Sequence, residues 1–502
     1  MRQETWLCLR RDFQVTQSYW SLQIPALEGI PTVLGLKKSG KGMFKLIDNY
    51  MYINKELAEA IDSVLKGPSL FNLAKEIEKG WETHISSYLK ESKQIDDIED
   101  LDKISEEEIF NLLFRWQEAN IKLLRFHPPS YFIAEALVSA LKGFLSEIVG
   151  ERTSDIISKL LSGFPKEAKK YGVSQDLLKI SNVLRQDKNK QKIVLGEDKI
   201  MALAVLNDLE EFRSFIENHG HLDEPDPYFP KWAETPEKIL NMTRNYLTYE
   251  AKDPNIVYPK QREEKEQIIE QITVKLKEDQ KTEFMELLNT TQSLYKLYEY
   301  EEHSLVRKGL SSLRRLLLSI GKRFVSSGKI RDLNDIFFLE YEKIIRLRYE
   351  PKTEQIASIA EKRRKWFEDN RGIPARPIVT EEKIPKKVIA IAEEKVIKGF
   401  GASGGIISGV VKIVYYSDEL WKIKKGEILV TSMTFSEFAP ILCFVKGIIT
   451  DEGGMCCHAA VIARELEIPA VVGTRNATRI LKDGMKVTLD GVKGIVEIDN
   501  SE

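Results

Sequence analysis

The sequence predicts a multidomain α plus α/β protein, a large, mainly helical domain followed by a compact α/β domain. Two observations carry that expectation. From about residue 61 to 370 apolar residues recur at helical spacing, and after Gly399 the pattern changes to short β-branched runs separated by glycines, with helical stretches between some of them. Such alternation is the signature of strands and helices packed in layers. Between the two regions, residues 371–398 carry Pro374, Pro377 and Pro385 among charged residues, which reads as a semi-rigid linker or as a strand and loop wrapping one domain.

Residues 1–60 form a mixed N-terminal segment. Its run MFKLIDNYMYIN suggests short strands, with Asn49 as a turn residue. In the helical region the clearest element is EEHSLVRKGLSSLRRLLLSIGKRFVSSG, where Leu313, Leu316, Leu317, Ile320 and Phe324 make one stripe. PSLFNLAKEIEKGWETHISSYLKE and the block from Ala134 to Ile148 repeat the pattern. These stripes are read as core, with no catalytic role. In the last region, 399–500, the strand-length runs are GVVKIVYY, EILVTS, KGIIT, PAVVG, MKVTLDG and GIVEID.

Composition narrows the function classes. The chain has 502 residues, a formal net charge of −2, 42% apolar and 30% charged residues, as in an ordinary globular protein. That balance gives no electrostatic case for nucleic acid or an anionic membrane as partner. No apolar run is long enough to span a bilayer, and the N-terminus lacks the apolar core of a secretory signal. Cys8, Cys443, Cys456 and Cys457 are too few and too clustered for a disulfide framework, so a reducing cytoplasm is the expected location.

The stretch TDEGGMCCHAAVIARELEIPAVVGT, from Thr450 to Thr474, carries the chemistry. Ile448 and Ile449 end an apolar strand run, Gly453 and Gly454 permit a tight turn, and the segment from Ala459 to Leu466 favours helix until Pro469 ends it. His458 is therefore expected at the first turn of a helix. Unpaired backbone N–H groups and the positive end of the helix dipole favour an anion there. An imidazole in that place could carry a phosphoryl group, its charge met by the amides of Gly453, Gly454, Met455, Cys456 and Cys457 and by Arg464. On spacing alone a helix cap or surface histidine is the competing reading. For Arg464 the alternative is a structural ion pair.

The string resembles the phosphohistidine motif in the swivelling domain of the phosphoenolpyruvate-utilising family. That pattern has a diglycine, then Thr, Ser or Cys before His-Ala-Ala, and later Ala-Arg-Glu-Leu-Gly-Ile-Pro-Ala-Val. Gly453, Gly454, Cys457, His458, Ala459, Ala460, Ala463, Arg464, Glu465, Leu466, Ile468, Pro469, Ala470 and Val471 fit it. Cys456 replaces the usual threonine and Glu467 the usual glycine. Upstream, LRFHPPSYF, FIENHGHLDEPDPYFPKWAETPEKIL and GKRFVSSGKIRDLNDIFFLEYEKI resemble the helical acceptor-substrate region of rifampin phosphotransferase-like proteins, with His221 kept and Leu222 in place of an arginine. The resemblance implies a compact phosphohistidine swivelling domain after a helical acceptor domain, and a phosphotransferase whose phosphoryl carrier is His458.

Members of the family it resembles typically carry an ATP-grasp-type nucleotide-binding domain; about 60 residues precede the helical region here and no Gly-rich phosphate loop is present, so the resemblance implies an ATP-grasp-type nucleotide-binding partner subunit that supplies ATP and Mg2+. This division is similar to phenylphosphate synthase, whose histidine-carrying subunit works with a separate ATP-binding subunit. The acceptor is expected to be a small-molecule hydroxyl, and the chain itself to bind no cofactor. His221 and His219 are candidates for the base that removes its proton, with Asp223, Glu224 and Asp226 as orienting carboxylates; a turn with solvated charges is the alternative. Two other function classes stay open: a non-catalytic regulatory descendant that is not phosphorylated, and a metal site on Cys443, Cys456, Cys457 and His458, disfavoured because adjacent residues rarely converge on one ion.

Overall fold

The protein is described here by a computed structural model covering residues 5–8, 16, 22–24, 27–34, 36, 44–47, 50–66, 70–162, 172–249, 254–297, 303–350, 354–370, 378–380, 395–435, 438–455 and 457–499. It divides into two units. The first comprises residues 1–133, 224–229 and 304–388, and the second residues 134–223, 230–303 and 389–502.

The first unit combines long helices with a small sheet. Strands β1 (Thr5–Cys8), β2 (Phe44–Ile47), β3 (Tyr50–Asn54) and β4 (Ile378–Thr380) lie in the order β2-β3-β1-β4, all neighbours antiparallel. Ile47 faces Tyr50, so β2 and β3 form the hairpin that MFKLIDNYMYIN implied; Asn49 lies outside the described residues. Strand β4 comes from the stretch read as a linker, most of which also lies outside them. The stripe Leu313, Leu316, Leu317, Ile320 and Phe324 is buried on the helix His303–Ser326, and Leu73, Ile77, Trp81 and Tyr88 are buried on Leu70–Asp96.

The second unit holds a helical layer and the α/β region. Helices Val173–Gln186, Glu210–His219 and Pro236–Thr248 share a core of Leu177, Ile180, Phe212, Phe215, Trp232 and Tyr246. The sheet has eight strands, adding β5 (Val396–Lys398), β6 (Phe400–Ser403), β7 (Ile406–Ile413), β8 (Ile428–Thr431), β9 (Gly447–Thr450), β10 (Ala470–Val472), β11 (Lys486–Asp490) and β12 (Ile495–Ile498) in the order β5-β12-β11-β7-β8-β9-β10-β6. All six expected runs are strands; β5 and β6 are additional. Strands β7, β8, β9 and β10 are parallel and the outer pairings antiparallel. Strands β8, β9 and β10 are buried along their whole length, which is why their sequences are continuous apolar runs.

This topology brings the carboxyl ends of β8, β9 and β10 side by side, where an open parallel sheet receives its ligands. The exits of β9 and β10 touch. Gly473, just after β10, has φ +68°, and a side chain there would sit 2.6 Å from the Gly453 carbonyl oxygen. Gly473→Ala is expected to cost about 1–3 kcal/mol, from left-handed strain and that overlap. Chemical denaturation of the full chain measures the loss.

Candidate functional site

His458 opens the helix His458–Glu465 directly after the loop that leaves β9. The loop is fastened at its base. Asp451 is buried, and its carboxylate accepts the Thr478 amide at 3.0 Å and the hydroxyls of Thr478 and Thr474. The Thr474 amide in turn donates to the Thr450 carbonyl at 3.0 Å. Gly453 has φ +108°, and the Cys457 sulfur fills the place a side chain would need. The Cys457 amide closes the turn onto the Gly454 carbonyl at 3.2 Å. Cys457 is the N-cap residue, and its thiol packs inward rather than capping the helix. The first-turn amides of a helix have no intrahelical acceptor, so this end offers donors for an anion. Cys456 lies outside the described residues.

The His458 ring is buried, and its Nδ1 lies 3.0 Å from the hydroxyl of Thr434, itself buried. Thr434 stands three residues beyond β8, so two neighbouring parallel strands each contribute one partner of this contact. The hydroxyl can accept a hydrogen bond from Nδ1–H. That tautomer leaves the Nε2 lone pair as the ring's nucleophile.

Arg464, near the end of the same helix, is buried. Its guanidinium donates to the Met455 carbonyl at 2.8 Å, to the Tyr295 hydroxyl and to the Ala402 carbonyl at 3.4 Å, and it lies 5.7 Å from the centre of the Tyr295 ring. These contacts assign Arg464 to holding the loop. Gln261, on the helix Pro254–Thr273, donates to the carbonyls of Arg464 and Glu465 at 2.9 and 3.1 Å, closing the helix's other end. A cleft of about 650 Å³ beside it is lined by Lys159, Gln261, Ser403, Gly404, Arg464 and Glu467. Glu135, half-buried on the helix His127–Val149, places its carboxylate oxygens 2.5–2.7 Å from where a Gly454 side chain would stand.

The other candidates have partners of their own. His221 is half-buried on the turn after Glu210–His219. His219 is buried, and its Nε2 pairs with Asp176 at 2.8 Å, so its carboxylate partner is Asp176 and not Asp223, Glu224 or Asp226. Those three are not a solvated turn, since all are buried. Asp223 is engaged by Lys238 and by the Ser417 hydroxyl at 2.6 Å; Asp226 accepts from the Thr16 amide and hydroxyl at 2.6 and 3.0 Å. Cys443 directs its thiol to the Tyr246 hydroxyl at 3.5 Å, and burial pushes it up to about 12, which disfavours the thiolate a metal needs. Among the described residues no group of three or more His, Cys, Asp and Glu side chains is placed to hold a metal ion, and no helix is long and apolar enough to cross a membrane. Thr434, Tyr295 and Glu135 were not foreseen. Each reaches the site across a long sequence separation, and no local pattern marks it.

Residues 423–494 match the family described as PEP-utilising enzyme, mobile domain, and residues 127–299 match the rifampicin phosphotransferase fourth domain. A probable phosphoenolpyruvate synthase of Archaeoglobus fulgidus is 51% identical over 25% of this chain and 17% of its own length. A phosphoenolpyruvate synthase of Aeropyrum pernix is 38% identical over 38% of this chain and 22% of its own length. An uncharacterized phosphotransferase of Bacillus subtilis, YvkC, is 27% identical over 98% of this chain and 62% of its own length. The chain thus spans less than two thirds of these relatives. The resemblance read from the sequence is borne out at the level of these matches: the β8–β11 region with His458 is similar to the mobile domain of PEP-utilising enzymes, and residues 127–299 are similar to the rifampicin phosphotransferase fourth domain.

The Asp176–His219 pair gives a pH test of the helical layer. Burial pushes the Asp176 carboxyl up, but hydrogen bonds from His219 and Lys179, with their charges, outweigh it and hold the group below the usual carboxylate range. A folded-state value below the unfolded one means the contribution is fully present above the unfolded value near 3.9 and is lost as pH falls through the folded one. Asp176→Asn is expected to destabilise the protein by about 1–3 kcal/mol at neutral pH and by progressively less toward pH 3, measured by denaturation across that range.

Proposed function

We propose that this chain is a phosphotransferase component that carries a phosphoryl group on His458 and delivers it to the hydroxyl of a small molecule. The observation that supports the reading is the His458–Thr434 contact at the carboxyl ends of β8 and β9, which holds Nδ1 against a hydroxyl; in this reading Nε2 is the nucleophile. The family matches and the names of the relatives, phosphoenolpyruvate synthase and phosphotransferase, support the reaction class.

The two steps balance without a proton leaving the ring. In the first, Nε2 attacks the phosphorus of the donor, the bond to the donor's leaving oxygen breaks, and Nδ1–H stays on Thr434, so the phosphorylated ring is cationic. In the second, the acceptor oxygen attacks phosphorus, the P–N bond breaks, and its electron pair returns to Nε2 as neutral imidazole. The acceptor's proton must go to a base, for which His221 is the candidate by residue type. The first-turn amides and the Gly453–Cys457 turn meet the phosphoryl charge, while Arg464 acts as a positioning residue through the Met455 carbonyl. The donor in this reading is ATP with Mg2+ on an ATP-grasp-type nucleotide-binding component outside the described residues.

Incubation with that component and ATP labelled in the β-phosphoryl group is expected to give an acid-labile, base-stable label on the full chain, absent in His458→Ala. A label that survives in His458→Ala, or no label in the unaltered chain, refutes the carrier role. Thr434→Val removes one hydrogen bond worth about 1–1.5 kcal/mol, so loading is expected to slow roughly tenfold with the chain still folded. An unchanged loading rate in time-resolved labelling contradicts the assignment of Thr434.

A further inference from the structure

The helical layer meets the His458 loop with a carboxylate. Glu135 sits on a helix fixed by the buried Ala134, Leu137 and Leu141, and its two carboxylate oxygens lie 2.5 and 2.7 Å from the place of a Gly454 side chain. Gly454 in turn closes the turn that delivers His458, through its carbonyl and the Cys457 amide at 3.2 Å. A side chain at residue 454 would meet the carboxylate, which would have to shift to make room.

A negative group is the wrong choice for a loop that only has to hold a phosphoryl anion, because like charges at such range repel. It is the right choice for a site that must also take up a proton. Repulsion by the phosphoryl group raises a carboxylate's proton affinity while the group is present, and the effect ends when the group leaves.

We propose that Glu135 is the general base of the second step, receiving the acceptor's hydroxyl proton as the phosphoryl group leaves His458. The assignment rests on the carrier reading above and fixes its acceptor side. As the acceptor oxygen forms its bond to phosphorus, its proton passes to a Glu135 carboxylate oxygen while the P–N electron pair returns to Nε2. Glu135 then releases that proton to solvent. It takes this role in place of His221, whose turn is fastened through Asp223 to Lys238 and Ser417.

The test uses the full chain, phosphoramidate as a small phosphoryl donor and water as the acceptor. Loading and decay of the phosphohistidine signal are followed by phosphorus NMR, with His458→Ala as the reference for other histidines. In Glu135→Gln His458 is expected still to load, and decay after removal of the donor to slow by about 10²-fold or more. The unaltered chain should decay more slowly in D2O than in H2O, and Glu135→Gln should lose most of that isotope effect, which mere relief of repulsion would not cause. Glu135→Asp should decay at an intermediate rate and keep the effect, and it carries the comparison should the glutamine variant fail to fold. Equal lifetimes in all variants, an undiminished isotope effect in Glu135→Gln, or the same slowing from His221→Asn alone overturn the proposal. No signal on His458 in any form removes the carrier reading, and this assignment falls with it.

Discussion

The guanidinium of Arg464 is a buried cation that joins three parts of one unit. It reaches the carbonyl of Met455 on the His458 loop, the hydroxyl of Tyr295 on the helix Glu278–Lys296, and the carbonyl of Ala402 on β6. Burying a charge is costly unless hydrogen bonds replace its water, and the planar fork of arginine can make several at once in fixed directions. Its place near the carboxyl end of its helix adds a favourable interaction with the helix dipole. One side chain therefore sets where the helix lies, how the loop before it turns, and which helical neighbour it faces. Lysine, with one point charge, could not satisfy the same three acceptors in one geometry.

With the helix fixed behind, the loop in front has little freedom. Asp451 ties its start to Thr474 and Thr478, and the Gly453–Cys457 turn leaves room for no other side chain. Preorganisation of this kind matters for phosphoryl transfer, where the protein supplies positioning and charge more than covalent chemistry. It also bears on the two glycines here, whose side-chain positions are taken by Cys457 and Glu135.

Much of this was legible in the sequence because it is local. A diglycine, a run of helix formers and Pro469 place a helix start at His458, and β-branched runs place six of the sheet's strands. Strand β6 was less legible, since Gly401 interrupts it and a turn-rich stretch surrounds it. The contacts that complete the site were hidden for one reason. Thr434 is 24 residues from His458, Tyr295 is 169 from Arg464, and Asp176 is 43 from His219, and only the folded topology brings these pairs together. Asp223, Glu224 and Asp226 misled in the same way: a DEPD run looks like a solvated turn until partners such as Lys238, Ser417 and Thr16 arrive from distant segments.

The choice of a hydroxyl rather than a carboxylate beside Nδ1 bears on what the histidine can do. A carboxylate at that nitrogen would stabilise the cationic, phosphorylated ring and make the P–N bond harder to give up. The Thr434 hydroxyl fixes the ring's orientation but adds no net charge, so the ring stays a good leaving group once an acceptor arrives. A carrier needs that compromise more than a one-step catalyst does, because it must be loaded at one place and emptied at another. The Glu135 carboxylate meets the loop at Gly454, whereas the partner of Nδ1 is the neutral Thr434 hydroxyl. The separation of these two roles, orientation by a neutral hydroxyl and proton uptake by a charged carboxylate, follows from the chemistry of transfer itself.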